Sequence, residues 1–330
     1  MANILLTEKC NLKCSYCFAK DYTNQHSKEI SFENFKKAVA FISKGNPNAK
    51  IGLIGGEPTL YSHFGEVLDY LENTLLVNHA VIFTNGILLE KYKEHIVSDK
   101  LVFLINCNSP DDIGTGNYEK MVRSIRCLIE EKELRNNIML GLNIYKKNMD
   151  ITYFCDLLEQ FHFKYARISV VVPPDMENYS GAFDYFQQMK PTLLAIFQRL
   201  AGIGVLPKYD CNRIPRCLWT DSEQNLIKEL FGKRLQLSNI LHDTVICKPT
   251  LDIDTELKVI RCFGFSDELK ADLEKFESID SLNEFFVQEI DHQYINSGNK
   301  CKNGSRDNGK HCVDCYGGCL AFKKKRELEW

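Results

Sequence analysis

The sequence predicts a parallel α/β fold followed by a smaller cysteine-rich region, on three observations. Short apolar runs alternate six times with longer helix-period segments between residue 3 and about residue 205. The apolar runs are nearly continuous, as expected of strands covered on both faces. Beyond about 205 the alternation stops, and eight of the 14 cysteines lie there.

The strand candidates are 3–7, 50–54, 79–84, 101–106, 138–144 and 166–172, and the helix candidates are 31–44, 61–75, 87–97, 116–134, 149–161 and 181–203. Ser31 stands where an N-cap is wanted for the first helix. Six such units build either a doubly wound open sheet or an incomplete barrel, and periodicity does not choose between them. In both, ligands bind at the carboxyl ends of the strands. Those ends carry Thr7–Cys17, Gly55-Gly56-Glu57-Pro58, Thr84-Asn85-Gly86, Asn106-Cys107-Asn108-Ser109, Asn143 and Pro173-Pro174. Polar and glycine residues at successive strand ends suggest one ligand bowl.

After 205 come turn and cysteine signals at Pro207, Cys211, Pro215 and Cys217, a helix-like stretch at 221–240, and a hairpin at 247–264 turning at Asp254-Thr255-Glu256. Residues 296–319 are rich in Gly, Asn, Lys and Cys with almost no aliphatic side chains. Such a segment cannot bury a core of its own, so it is disordered or stapled by metal.

A chain of 330 residues accommodates a barrel with an appendage, or two domains. The 44% hydrophobic and 26% charged residues suit a soluble globular protein. A net charge of −3 argues against nucleic acid or an acidic membrane as partner. The basic run Lys323–Arg326 reads as the solvated end of a last helix. No signal-peptide pattern and no bilayer-length apolar stretch are visible, so the expected location is the cytoplasm. Thiols stay reduced there, and cysteines are kept for metal or chemistry.

Three thiols lie together at Cys10-x3-Cys14-x2-Cys17, directly after the first strand. Thiolates select iron–sulfur clusters or zinc. Zinc usually takes a fourth ligand nearby, and the one nearby histidine, His26, fits no zinc spacing. The triad alone leaves iron–sulfur, zinc and chance open.

With Tyr16 before its last cysteine, this motif resembles the radical S-adenosylmethionine (SAM) superfamily. Gly55-Gly56-Glu57-Pro58 at the end of the second strand resembles that family's GGEP element. Alone it would pass for an ordinary strand-to-helix turn. The resemblance implies a partial (β/α)6 TIM-like barrel over residues 1–205. It implies a [4Fe–4S] cluster on Cys10, Cys14 and Cys17, whose open iron chelates SAM. Glu57 then accepts from the SAM amino group, with Gly55, Gly56 and Pro58 shaping the approach. Asn106 or Asn108, together with Asn143, falls at the ribose and adenine, and Arg167 at the carboxylate. Strand-end asparagines are also common turn residues. The implied reaction is one-electron cleavage of SAM to methionine and a 5′-deoxyadenosyl radical, which takes a hydrogen atom from substrate.

The rear cysteines run Cys211-x5-Cys217, Cys247-x14-Cys262 and Cys301-x10-Cys312-x2-Cys315-x3-Cys319. A zinc knuckle is the plain reading of the last group. The hairpin resembles the opening of the SPASM or Twitch modules that follow many radical SAM barrels. That implies a second domain over 206–330 with one or two auxiliary [4Fe–4S] clusters. Cys247 and Cys262 are expected on the first, joined by Cys211 or Cys217. The pattern departs in three places. Leu257 stands where the family has a glycine, and the final cysteine run is short with none after Cys319. Phe263 stands where some sulfatase-maturing relatives have an aspartate base. Cys127 and Cys155 sit in helix patterns and read as core; Cys107 lies at a strand end.

Radical SAM enzymes with such modules mostly modify peptides. The expected function is therefore maturation of a ribosomally made peptide, by crosslinking or oxidising a side chain. An electron donor such as flavodoxin or ferredoxin is expected, and, since the first cysteine is residue 10, either a separate leader-peptide-binding protein or the barrel rim itself to read the peptide. The alternative is a radical SAM enzyme acting on a small molecule. A non-catalytic iron–sulfur or zinc protein is the third reading.

Overall fold

The computed structural model describes residues 2–20, 23, 24, 26–46, 48–173, 178, 179, 182–241, 246–295 and 318–324. Cys301, Cys312, Cys315, Pro174 and part of the basic run at 323–326 lie outside the described residues or their described side chains. The chain divides into two compact units, Met1–Met139 with Pro249–Gln288, and Leu140–Lys248 with Glu289–Trp330.

In the first unit β1 (Ala2–Leu5), β2 (Lys50–Ile54), β3 (His79–Thr84) and β4 (Leu101–Asn106) lie side by side and parallel. Their apolar runs pack on both faces: all of β1 is buried, as are Ile51 to Ile54 of β2. Helix α1 (Phe32–Ser43) begins where Ser31 Oγ accepts from the amide of Asn34, and it buries Phe35, Ala38, Val39 and Ile42. That spacing is one face of a 3.6-residue period. Helix α2 (Phe64–Asn73) buries Phe64, Val67, Leu68 and Leu71 by the same rule.

Residues 87–97, expected as a helix of the ordinary kind, form a 3₁₀ run over Leu89–His95. The run is short and has no side-chain cap. It is pinned from outside instead, with Tyr92 Oη donating to the Thr59 carbonyl and Ser124 Oγ accepting from the Glu90 amide. After β4 comes a single turn, α3 (Pro110–Ile113), then α4 (Thr115–Arg126), which runs into a π turn at Cys127–Glu131.

The hairpin read from the sequence is present as β8 (Asp252–Ile253) and β9 (Lys258–Ile260), antiparallel, with β10 (Ala271–Asp272) added to β9. Its partner is β1: Asn3 pairs with Asp252 and Ile4 with Ile253, in parallel. The strand order of this unit is β10-β9-β8-β1-β2-β3-β4. Leu257, in the hairpin turn, has φ +60°. The backbone thus keeps the left-handed conformation that a glycine would take freely.

In the second unit β5 (Ile138–Ile144), β6 (Tyr165–Val170) and β7 (Leu206–Tyr209) are parallel neighbours. Strand β7 was not expected from the sequence. It has four residues and includes Pro207, which is tolerated because β7 is the outer strand. Helix α5 (Thr152–Gln160) joins β5 to β6, and α6 (Ala182–Gly202) joins β6 to β7. Helix α7 (Asp221–Phe231) starts on a capping box between Thr220 and Glu223 and ends at Gly232, where φ is +52°. Among the described residues no helix is long and apolar enough to cross a membrane.

Candidate functional site

The three front cysteines ride the loop that leaves β1. Several side chains set that loop's path. The Asn24 carboxamide accepts from the Cys10 amide at 2.9 Å and donates to the Cys10 carbonyl at 3.3 Å. Asn24 has φ +60°, which asparagine tolerates better than most residues. Asn85 Nδ2 donates to Asn11 Oδ1 at 2.8 Å, and the Tyr16 hydroxyl donates to Asn108 Oδ1. The loop is thereby tied to the ends of β3 and β4. Glu8 accepts from the Lys28 amide at its base.

The thiols of Cys10, Cys14 and Cys17 are half-buried. Burial pushes Cys10 up to about 11, with Glu57, Cys14 and Cys17 adding negative charge. Cys14 is raised by burial and then by Cys17. Cys10 and Cys14 sense the charge of their neighbouring thiols, although among the described residues no group of three or more His, Cys, Asp or Glu side chains has the geometry to hold a metal ion as it stands. Such thiols give up their protons when a cation competes for the sulfur.

Gly55 and Gly56 lie directly against this loop. The Gly56 amide donates to the Thr7 carbonyl and the Glu57 amide to the Lys9 carbonyl, both at 2.8 Å. A side-chain carbon on Gly56 would be driven into the Lys9 carbonyl, with its carbon at 2.7 Å and the Glu8 oxygen at 2.8 Å. Pro58 opens a 3₁₀ turn, and Glu57 caps it.

Glu57 is 1% exposed. Its Oε1 accepts from the Thr59 amide, the Thr59 hydroxyl and the Thr84 hydroxyl, and Oε2 accepts from the Asn85 amide at 2.8 Å. Burial pushes its pKa up against these hydrogen bonds, which pull it down. The carboxylate thus brackets the ends of β2 and β3. Oε2, with one partner among these, keeps capacity for another donor.

Asn106 closes β4 half-buried, and Asn108 is buried beyond it. Cys107 is buried, its thiol directed at the Ile105 carbonyl. In the second unit Arg167 Nη1 donates to Asn143 Oδ1, and Nη2 lies 3.4 Å from Asp210 Oδ2. Arg167 Nε is buried with no partner.

Of the rear cysteines in this unit, Cys211, Cys247 and Cys319 come together. Cys319 lies within hydrogen-bonding reach of both of the others, and those contacts, with burial, raise its pKa well above the ordinary thiol value. The Cys319 hydrogen bond lowers Cys211. Cys217 is exposed in a 3₁₀ turn. In the first unit Cys262 is half-buried at the end of the hairpin, where Arg261 Nη1 donates to its sulfur at 3.7 Å. Every described cysteine is a free thiol. Phe263 is nearly buried, its ring 5.2 Å from that of Phe18 and its amide bonded to Asp252 Oδ2 at 3.0 Å.

Residues 4–153 match the model of the radical SAM superfamily. The cofactors of that superfamily are a [4Fe–4S] cluster and SAM, and the residues present fit them. Three thiols on one loop leave the fourth iron of such a cluster without a protein ligand. The close glycine approach and the spare acceptor on Glu57 suit a ligand bearing an ammonium group.

Among curated proteins, this part of the chain is similar to a probable GTP 3′,8-cyclase of Methanococcus maripaludis. The two are 32% identical over 150 residues, which is 44% of this chain and 49% of that protein. It is also similar to an Fe-coproporphyrin III synthase of Methanosarcina barkeri, 30% identical over 187 residues, 52% of this chain and 46% of that protein. The chain spans about half the length of the curated relatives it matches. Among solved structures, anSMEcpe with bound AdoMet and the Cp18Cys peptide superposes with a TM-score of 0.68. Identity is 17%, with coverage of 99% of this chain and 91% of that one. SuiB of Streptococcus suis bound to its precursor peptide SuiA gives 0.60 at 16% identity, covering 99% and 73%. These likenesses show the fold: a parallel α/β radical SAM architecture of the unclosed-barrel kind expected from the sequence.

Proposed function

We propose that this chain is a radical SAM enzyme that modifies a peptide with the help of a metal group held by its rear cysteines. In this reading Cys10, Cys14 and Cys17 hold the SAM-binding cluster. When bound, that cluster supplies the electron that cleaves SAM and generates the hydrogen-abstracting radical. Asn24, Asn85 and Tyr16 fix the path of the cysteine loop. Glu57 holds β2 and β3 together and offers Oε2 to the SAM amino group. Asn106, Asn108, Asn143 and Arg167 are the further candidates for SAM, Arg167 through its unpartnered Nε.

The observation that carries the peptide reading is the contrast in extent between the two kinds of likeness. Identity with the cyclases spans 150 to 177 residues, at most 52% of this chain, whereas the fold of the peptide-binding anSMEcpe complex matches 99% of it. The part left over includes the grouped thiols of Cys211, Cys247 and Cys319. Those three, with Cys217, Cys262, Cys301, Cys312 and Cys315, form the pool from which one or two auxiliary [4Fe–4S] clusters would draw ligands. A reductant of the flavodoxin or ferredoxin type completes the reading.

A second reading, a small-molecule enzyme of cofactor biosynthesis, rests on the 32% identity to a probable GTP 3′,8-cyclase. The two separate in one assay. Anaerobically reconstituted protein receives SAM and dithionite, with either GTP or a Cys- or aromatic-rich peptide encoded beside its gene. Both the 5′-deoxyadenosine yield and the mass of the second substrate are followed. Peptide-dependent 5′-deoxyadenosine with a changed peptide mass is expected. Stimulation and consumption of GTP alone would replace this reading with the second.

A further inference from the structure

The three front thiols do not share one environment. The Leu12 amide donates to Cys10 Sγ at 3.5 Å, and the Glu57 charge bears on that sulfur. The Tyr16 hydroxyl and the charge of Asp112 act on Cys14. Cys17 instead packs against an apolar cluster of Leu5, Ala19, Ile54, Ile260 and Phe263, with Phe83 beside it. Leu5, Ile54 and Ile260 are the last residues of β1, β2 and β9, so the ends of three strands give the third thiol an apolar flank. All of these residues belong to the first unit. Phe263 is buried, and its backbone is fixed where its amide donates to Asp252 Oδ2 at 3.0 Å. Phe18, next after Cys17, lays its ring on Phe263 with 5.2 Å between centres and a tilt of 55°. That separation and tilt are those aromatic pairs favour. Phe18 itself is 68% exposed. The loop thus holds a large apolar ring in water, on a buried ring, directly beside the thiol whose surroundings are apolar.

We propose that Phe18 and Phe263 form an apolar wall on the Cys17 side of the front thiols, which keeps water and small solutes from that sulfur whether the thiols are free or metal-loaded. For the loaded state the inference rests on the reading of Cys10, Cys14 and Cys17 as cluster ligands; for the free thiols it needs no metal. Access decides how fast a thiol reacts, and the apolar shell of a metal site controls how solvent reaches it. Phe263 is the inner leaf, locked into the cluster. Phe18 is the outer leaf, and its exposure makes it replaceable without opening the core. Leucine at 18 keeps an apolar cover, and alanine removes it.

The test begins with the full chain free of metal. Wild type, Phe18→Ala and Phe18→Leu are alkylated with iodoacetamide, and the rates at Cys10, Cys14 and Cys17 are read separately by fragment mass spectrometry. Cys17 is expected to react about fivefold faster or more in Phe18→Ala, with Phe18→Leu within about twofold of wild type and Cys10 unchanged. A Cys17 rate that moves less than about twofold in Phe18→Ala overturns the wall. So does an equal rise at all three thiols, which reports a loosened loop. The second arm exposes anaerobically reconstituted protein to air. It follows the iron–sulfur absorbance that the Cys10/Cys14/Cys17→Ala variant lacks. That absorbance is expected to bleach about fivefold faster or more in Phe18→Ala, and bleaching at the wild-type rate overturns the wall for the loaded state. A triple variant with the absorbance of wild type overturns the cluster reading instead, and the alkylation rates then decide the wall by themselves.

Discussion

Replacing Gly56 by alanine tests whether the GGEP turn serves as the seat of the cysteine loop. The new carbon would meet the Lys9 carbonyl carbon at 2.7 Å and the Glu8 oxygen at 2.8 Å, and all three of its nearest neighbours are backbone atoms. No side chain can swing away, so the loop itself must lift. Lifting it strains the amide bonds from Gly56 to Thr7 and from Glu57 to Lys9. Two net hydrogen bonds are worth about 1–3 kcal/mol together, and overpacking costs about 1–3 kcal/mol more. The expected destabilisation is about 2–6 kcal/mol, concentrated beside Cys10. The assay is thermal unfolding of the apoprotein together with iron bound per chain after reconstitution. Gly116→Ala is the control, because nothing lies within 4 Å of its added carbon and it sits in helix α4. The control should match wild type or gain about 0.5–1 kcal/mol. A Gly56→Ala protein with the unfolding curve and iron content of wild type would refute the argument.

Asp252 gives a pH dependence of definite sign. Burial pushes its carboxyl up to about 7, against hydrogen bonds from Asn3 and the Phe263 amide that pull it down. The folded chain then holds a proton that the unfolded chain releases near pH ~3.9. Its contribution is neutral below about pH 4, increasingly destabilising from about 4 to 7, and level above that, on the order of 4 kcal/mol in all. Asp252→Asn should equal wild type near pH 4 and exceed it at pH 8, since its amide can serve the buried, unpartnered Asn3 Oδ1. Parallel stability curves for the two proteins would contradict this. Tyr16→Phe leaves the buried Asn108 oxygen without the Tyr16 donor, at a cost of about 1–3 kcal/mol. A double-mutant cycle with Asn108→Ala should show coupling, and additive losses would disprove the tether. Leu257→Gly relieves a left-handed leucine, worth roughly 1–2 kcal/mol, but deletes a buried side chain, worth about 2–5 kcal/mol. A net loss is expected in thermal unfolding, and a gain would mean that the side chain packs poorly.

The six strands and the cysteine triad were legible because each is a local pattern. Apolar runs with periodic helices between them announce a parallel sheet, and three thiols in eight residues mark a candidate metal loop. The scaffold of that loop was not legible. Asn24, Asn85 and Tyr16 act through partners 14, 74 and 92 residues away, and no periodicity reports such pairs. Thr84-Asn85-Gly86 stood out only as a polar strand end, and nothing local announced that Thr84 and Asn85 supply two of the four hydrogen bonds on Glu57. Strand β7 was hidden by its length and by Pro207, and the 3₁₀ run at 89–95 by an apolar spacing that suits either helix. The hairpin was visible, but its pairing with β1 was not, since the register depends on residues about 250 positions apart. Leu257 shows a complementary limit. The residue departed from the glycine of the pattern while the backbone kept the glycine's conformation.

The most direct measurement is the yield of 5′-deoxyadenosine from anaerobically reconstituted protein given SAM and dithionite, set against a Cys10/Cys14/Cys17→Ala variant. Reductive cleavage of SAM predicts 5′-deoxyadenosine from the wild type and none above background from the variant. Equal yields from the two proteins, or none from a fully iron-loaded wild type with either peptide or GTP present, would contradict the account.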